Sequence, residues 1–381
     1  MPFTPVYLEQ LGVTHGTQLW SGIIIAVSSL CAMVMAPIWG AVGDRYGRRM
    51  MMLRAGVCLM LGYVGMALVT GPFGLFGVRM LIGLLTGFTP MAIALVGVST
   101  PPRDVGRALG IVQTGYPTGA IIGPVVGGVL SDWIGIRGAS WASAAMLAIA
   151  IGLVLVTVKE EFTPPALGKS SLLGELHAAT SHRLLMAIVL ITALSQAASM
   201  ALEPVLVPFV KQIAGANAPG WLAGLLFSLP GVTFILLAPW WARRGERVGF
   251  EQTIATGLLA SAGLYFLQTF VRGPGTLGGL RLLSGAAGAA IDPGVAALLA
   301  TVVPRPLRGR AFGLNQAAGA AGASIGPLLA GWIASYIDTR FVFILTGLFC
   351  VVGFFWIKRV VTPQLRLAGN AAAELAVDQT V

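Results

Sequence analysis

The chain has 381 residues, 56% of them apolar and only 10% charged, with a mean hydropathy of +0.85. A soluble domain carries about a quarter of its residues as charges, so this composition excludes a water-soluble enzyme or binding module. The net charge of +10 would suit a nucleic-acid partner only if the cations were gathered on one patch, and they are not.

In chain order, continuous apolar runs predict membrane-spanning helices at 18–42, 51–70, 74–98, 108–130, 139–158, 184–209, 221–241, 252–271, 276–301, 311–334 and 341–357. Each comes near the roughly 20 residues that cross a hydrocarbon layer about 30 Å thick. The runs do not alternate and are rich in Gly, Ala and Leu, which favours packed helices over a barrel of strands. Alternate connections hold most of the cations. One set carries Arg45, Arg48 and Arg49; Arg103 and Arg107; Lys159, Lys169 and Arg183; Arg243, Arg244 and Arg247; Arg305, Arg308 and Arg310; and Lys358, Arg359 and Arg366. The other set has Arg137, Lys211, Arg272 and Arg340, so seventeen cations stand against four. This positive-inside bias places the first set in the cytoplasm. The charge orients the chain in a lipid bilayer, and no nucleic-acid partner is expected.

Cys31, Cys58 and Cys350 lie far apart within apolar runs. They read as small buried hydrophobes, without disulfide or metal spacing. The start has no basic stretch ahead of an apolar core, so no cleavable signal peptide is expected.

The chain repeats itself at an offset of 202 to 203 residues. Arg79-Met-Leu-Ile-Gly83 matches Arg281-Leu-Leu-Ser-Gly285, Ala36-Pro37 matches Ala238-Pro239, and Gly43-Asp44-Arg45-Tyr-Gly47 matches Gly245-Glu246-Arg247-Val-Gly249. One residue of slip later, Arg107-Ala-Leu-Gly110 matches Arg310-Ala-Phe-Gly313 and Gly123-Pro124 matches Gly326-Pro327. The ordered matches predict an all-α membrane protein of two homologous helical bundles, at 1–158 and 184–360, with a cytoplasmic linker at 159–183 and a loose cytoplasmic tail at 361–381. Repeat architectures of this kind place a substrate between the halves. Pro2 pairs with Pro204 and Gln10 with Gln212, so the run from Leu184 to Leu202 has no upstream counterpart. The expectation is that eleven spans of twelve are present and the first is largely missing, Met1 being an internal methionine taken as the start. A true eleven-span protein is the alternative.

Two motifs stand out on these spans. The connection Gly40-Ala-Val-Gly-Asp44-Arg45-Tyr-Gly47-Arg48-Arg49 is cytoplasmic; Gly47 permits a tight turn, and the arginines favour that side. Gly119-x-x-x-Gly123-Pro124-x-x-Gly127-Gly128 gives one helix a face without side chains, where another helix can approach, and Pro124 favours a bend. The first motif resembles the G-x-x-x-D-R-x-G-R-R signature of the major facilitator superfamily, and the second is similar to the antiporter motif of its drug-exporting members. With Pro2-Phe-Thr-Pro-Val-Tyr-Leu-Glu-Gln-Leu-Gly-Val13, Trp20-Ser-Gly-Ile23 and Met52-Leu-Arg54, the resemblance reaches the MdtG-type multidrug exporters of the drug/proton antiporter branch. It implies the major facilitator fold in a bacterial inner membrane and a monomer that exchanges protons for small molecules without a cofactor, the proton gradient being the energy source. It also implies a cytoplasmic gate at Gly40, Asp44, Arg45, Gly47, Arg48 and Arg49, and a role for Arg79 in proton transfer. The plain alternatives are a loop that only fixes topology and ordinary glycine packing. The second-half copy of the loop is degenerate, with Phe250 and Glu251 in place of the arginine pair.

Ionisable groups inside spans are costly and ask for a reason. Arg79, Arg281, Asp292 and Glu203 are the candidates for proton coupling or substrate contact, joined by Gln196. Arg281, Gly285, Gly288 and Asp292 follow a 4-3-4 spacing that puts them on one face of a single helix, with Asp292 about 16 Å from Arg281 along the axis. Gln196, Ser199, Met200 and Glu203 share another face. A carboxylate in a poorly hydrated cavity can take a proton on one side of the membrane and release it on the other. The resemblance puts the coupling acid one turn before Asp292, where Gly288 stands, so the residue assignment is left open. Phe88, Tyr116, Met200 and Phe234 are candidate pocket residues, as are Asn315 and Gln316, or all are packing residues.

No enzyme motif survives inspection. Gly168-Lys169-Ser170 resembles the end of a phosphate loop, but Thr163 stands where its leading glycine belongs. The functional expectation is proton-coupled efflux of drug-like or amphipathic molecules by alternating access. The alternatives are an exporter of one metabolite (a sugar, an amino-acid derivative or a lysolipid) and an inactive or regulatory membrane protein.

Overall fold

A computed structural model describes residues 3–85, 87, 92, 95–96, 100, 104–158, 183–303, 308–365 and 367. Most of the predicted linker and tail lies outside this set, as do Phe88, the side chains of Gly40, Asp44 and Tyr116, and most of the second half of the predicted span at 74–98. The described chain is helical throughout, the expected answer to a solvent that cannot bond to the backbone. In order the helices are α1 (Thr4–Gln10), α2 (Thr17–Tyr46), α3 (Arg48–Leu68), α4 (Pro72–Leu85), α5 (Val105–Thr157), α6 (Arg183–Ala201), α7 (Leu206–Ala214), α8 (Gly220–Val248), α9 (Phe250–Gln268), α10 (Pro274–Gly288), α11 (Asp292–Val302), α12 (Arg308–Tyr336) and α13 (Phe341–Trp356). Eight helical stretches among the described residues are long and apolar enough to cross a bilayer. Their flanks stay open to lipid, as Trp133 and Val156, each about four-fifths exposed, illustrate.

The structure redraws several predicted boundaries. The spans at 108–130 and 139–158 are two helices that meet within α5 at a kink at Gly135, whose φ of 72° and ψ of 169° suit glycine. The run 184–209 divides into α6 and α7 around Pro204, which cannot continue the hydrogen-bond ladder. The run 276–301 divides into α10 and α11 just ahead of Asp292-Pro293 for the same reason. The last helix carries on through a π turn at Ile357–Val361 to Leu365, with Val361 fully buried, so the predicted loose tail starts as ordered helix.

The internal repeat is visible in bonds as well as in order. Gly47 and Gly249 turn the chain with φ of 94° and 98° at equivalent places. The indole N–H of Trp39 donates to the Leu84 carbonyl and that of Trp241 to the Ala286 carbonyl, each at 2.7 Å. Arg137 donates to the Val69 carbonyl at 2.9 Å, and its counterpart Arg340 to the Thr269 carbonyl at 2.8 Å.

The bundles join at two crossings, α2 against α12 and α5 against α8. At the first, Gly22 lies on the Pro327 carbonyl and Gly331 on the backbone of Gln18 and Leu19. At the second, Gly224 lies on the Pro124 carbonyl and Gly128 on the backbone of Gly220 and Trp221. The two are copies under the repeat, and at each position a Cβ would collide with backbone. Hydrogen bonds reinforce them: Leu19 N–H donates to Ser335 Oγ at 3.0 Å. The Asp132 carboxylate accepts from Gly220 N–H at 2.8 Å and Trp221 N–H at 3.1 Å, satisfying free amides at the start of α8. All these contacts lie at the ends of the helices remote from Arg45, Arg48, Arg243 and Arg247, that is, at the outer face. Toward the cytoplasm the bundles part. Gly115, Gly119 and Gly313 have nothing within 4 Å of a built Cβ, and Thr114, Thr118 and Leu236 are exposed. Contacts between the bundles are thus concentrated at the end that the cation bias assigns to the outside.

Overpacking costs about 1–3 kcal/mol, enough to shift a balanced equilibrium by about tenfold. Gly224→Leu is therefore expected to open the outer face. In a chain carrying Ser228→Cys, now buried under that crossing, labelling by an impermeant thiol reagent added outside should rise by about tenfold.

Candidate substrate and proton site

A cavity of about 190 Å³ lies inside the second bundle, walled by α6, α8, α9, α10, α11 and α13. Its polar lining is Ser195, Ser199, Ser261, Tyr265, Ser284 and Asp292; Pro230, Phe234 and Ile291 give it apolar walls. The break between α10 and α11 builds it. Residues 289–291 form a turn, and Asp292 opens α11 with Pro293 behind it, in the first turn where unpaired amides favour negative charge. The Asp292 carboxylate accepts from Ser195 Oγ at 3.1 Å and from Gln196 Nε2 at 3.4 Å. One turn along α6, Thr192 Oγ1 donates to Asn315 Oδ1 at 2.6 Å. Residues 192, 195 and 196 are thus a polar stripe tying α6 to α11 and α12. Asp292 is exposed on the cavity wall.

These findings rearrange the predicted faces. Arg281 and Asp292 do not share one helix, so the axial separation of a straight helix does not apply to them. Gly285, Gly288 and Asp292 still face one cavity. Of the second predicted face, Ser199 lines the cavity and Gln196 reaches its acid, whereas Glu203 sits in the turn after α6, outside it. Arg79, buried in the first bundle, interacts electrostatically with Tyr63 and with Glu203 across the bundle interface. Its Nε has no hydrogen-bond partner among the described residues, while its carbonyl accepts from Ser28 Oγ at 2.7 Å. Arg281 is also buried, but its guanidinium is engaged: Nε donates to the Leu226 carbonyl at 3.1 Å and Nη2 to the Phe227 carbonyl at 3.3 Å.

In the cytoplasmic loop, Arg49 donates to the Leu155 carbonyl at 2.8 Å, in the last turn of α5, where carbonyls lack helical donors and cations are favoured. Arg45 lies over the Tyr46 ring at 5.5 Å and Arg54 over the Trp39 ring at 3.5 Å. The glycine motif is divided in its use. Pro124 and Gly128 meet α8 and Gly127 lies near the Phe3 ring, but Gly119 and Gly123 have no neighbour within 4 Å. Their repeat partners Gly322 and Gly326 are packed on the backbone of Ala193 and Ala197 in α6.

A larger crevice of about 720 Å³ lies between the bundles at the outer end, lined by Phe3, Asp132, Trp133, Lys211 and Trp221 among others. Its acid, Asp132, is taken up by the Gly220 and Trp221 amides at the start of α8, and the chemistry favours the smaller cavity. No group of three or more His, Cys, Asp or Glu able to hold a metal occurs among the described residues.

The profile of the Major Facilitator Superfamily matches residues 1–222 and 188–378, nearly the whole chain in two overlapping passes. The chain belongs to the major facilitator superfamily. Within it, the chain is 35% identical over 321 residues to the Multidrug resistance protein MdtG of Escherichia coli SMS-3-5, covering 83% of this chain and 78% of that one. It is 34% identical over 358 residues to MdtG of Escherichia fergusonii, covering 93% and 87%. Among solved structures, a mutant of the nucleoside transporter NupG superposes with a TM-score of 0.79 at 15% identity, covering 94% of each chain. The human organic anion transporter MFSD10 superposes with a TM-score of 0.67 at 21% identity, covering 93% and 94%. The likeness to these structures shows the fold. Membership of the superfamily makes the chain a multi-pass membrane transporter rather than an enzyme.

Sequence reasoning missed Ser195, Ser261, Tyr265 and Ser284, because isolated serines are frequent in membrane helices. The signal was Thr192-Ala-Leu-Ser195-Gln196, three polar residues on one stripe of an otherwise apolar helix. Ser199 is exposed on the cavity wall, so Ser199→Cys, in a chain whose native cysteines are replaced, is expected to react with a hydrophilic thiol reagent in inside-out vesicles and to stay unlabelled in right-side-out ones.

Proposed function

We propose that this transporter is a proton-coupled exporter of cationic, drug-like molecules in the cytoplasmic membrane of a bacterium. The observation that carries the reading is Asp292, a carboxylate within a membrane span held by Ser195 and Gln196 on a cavity wall. Such a group needs a functional reason, and transport by exchange supplies one. In the inward-open state the carboxylate, bonded by two side-chain donors at the start of α11, attracts a cation from the cytoplasm. Once the outer face opens, a proton replaces the cation on Asp292. The neutral acid then returns inward and gives its proton to the cytoplasm. One negative charge alternates between proton and solute, so the gradient of one drives the other. Closing the inner face falls to the loop from Gly40 to Arg49, and the glycine–proline crossings open the outer one. The names of the MdtG relatives support the substrate class.

A second reading, export of one hydroxylated metabolite, draws on the hydroxyls of Ser195, Ser199, Ser261, Ser284 and Tyr265 in a small cavity.

In inside-out vesicles, an imposed proton gradient is expected to drive uptake of the cationic dye ethidium, and a protonophore to abolish it. Asp292→Asn should lower uptake to the level of vesicles without the protein. Uptake that survives both treatments would remove proton coupling and Asp292 from the mechanism. Transport of a polyhydroxylated solute with no movement of ethidium would favour the second reading.

A further inference from the structure

Arg281 and Pro230 face each other across the contact of α8 and α10, and their chemistries fit. Proline has no amide N–H, so Pro230 leaves the Leu226 carbonyl, four residues back, without its helical donor. The ring also pushes the preceding turn aside and weakens the bond to the next carbonyl, that of Phe227. Two adjacent acceptors in a membrane helix would then be short of partners, a costly condition with no water in reach. The buried Arg281 donates to these same two carbonyls, Nε to Leu226 at 3.1 Å and Nη2 to Phe227 at 3.3 Å, while its guanidinium lies near the Phe227 ring at 5.8 Å. The planar fork of an arginine suits two acceptors one residue apart; a lysine ammonium would not span them in fixed geometry. Close packing holds the pair together. Gly285, one turn past Arg281, lets the Pro230 carbonyl approach where a Cβ would collide, and Thr233 Oγ1 donates to the Leu282 carbonyl at 2.6 Å.

The repeat supplies an internal control. At the equivalent of Pro230 the first bundle has Ser28, which keeps its N–H, and Gly83 rests on the Ser28 carbonyl as Gly285 rests on that of Pro230. With no proline there is no freed carbonyl, and the equivalent arginine, Arg79, has an Nε with no partner among the described residues. The same arginine in the same motif binds two backbone carbonyls where the proline stands, whereas Arg79 interacts electrostatically with Tyr63 and Glu203.

We infer that Arg281 is a positioning residue that replaces the backbone donor missing at Pro230. It thereby holds α8 against α10, at the wall of the cavity that contains Asp292. The arginines of the two repeats therefore do different work, and Arg281 is not a proton carrier. This goes beyond the exporter reading and does not depend on which solute is moved.

The test is a cycle of Arg281→Ala, Pro230→Ala and both together in the full chain, purified in detergent and read by thermal unfolding. R281A is expected to lower the unfolding midpoint by about 2–4 °C or more, as loss of a partner for a buried polar group should. In the double variant the P230A substitution restores a backbone N–H that can donate to the Leu226 carbonyl, and the midpoint should return to that of P230A alone. If R281A cannot be isolated, recovery of folded protein by adding P230A is the same result. A double variant no more stable than R281A would overturn the inference. A second readout is ethidium efflux from cells between pH 6 and pH 8. The double variant should keep the wild-type pH profile, whereas a flattened profile would show that Arg281 itself carries protons. If wild type moves no ethidium, the exporter reading fails, and the thermal cycle still decides the clamp.

Discussion

The architecture depends on bare backbone touching bare backbone at two places. Gly22 on the Pro327 carbonyl and Gly224 on the Pro124 carbonyl bring helices of opposite bundles closer than any side chain would allow. In lipid no hydrophobic force draws helices together, so dispersion across such close surfaces and a few hydrogen bonds must do it. Both crossings lie at the outer ends, and each is the repeat copy of the other. Two equivalent contacts at one end make a pair of pivots, and the opposite ends are free to separate.

The same two-fold relation explains how one fold carries unlike functions in its halves. Gly47 and Gly249 turn alike, and Trp39 and Trp241 bond alike. The cavity with the acid lies in the second bundle, because the break after Gly288 puts Asp292 at a helix start facing the polar stripe of α6. Likewise Ser28 and Pro230 at matching positions set their arginines to different tasks. Small departures from symmetry, each a proline or an acid, account for the chemistry; the shared pattern accounts for the frame.

Much of this was legible in the sequence. Runs of apolar residues and the offset of 202 to 203 residues pointed to the helices and to the matching of the two halves before any coordinates. Gln196 and Asp292, chosen because polar groups are expensive in lipid, meet in space. The single face proposed for Arg281 and Asp292 did not hold, because a periodicity argument assumes an unbroken helix and Pro293 breaks this one. The task of Arg281 was hidden for a related reason. Its partners are backbone carbonyls, which carry no letter in the sequence, and only the proline that frees them leaves a trace. The outer crossings lay half in view, since glycine spacing marks a close contact without saying which helix arrives.

The central claim is that the two faces open in alternation about the outer pivots and that protons bias the choice. It is tested most directly by two spin-label distances measured on the same protein in lipid nanodiscs. One pair, at positions 131 and 221, reports the outer face; the other, at 50 and 246, reports the cytoplasmic face. At alkaline pH the account predicts a short outer and a long inner separation. On acidification a population should appear in which the outer distance has grown and the inner one has shrunk together. An inner distance that changes while the outer stays fixed, or two distances that grow together, would contradict it.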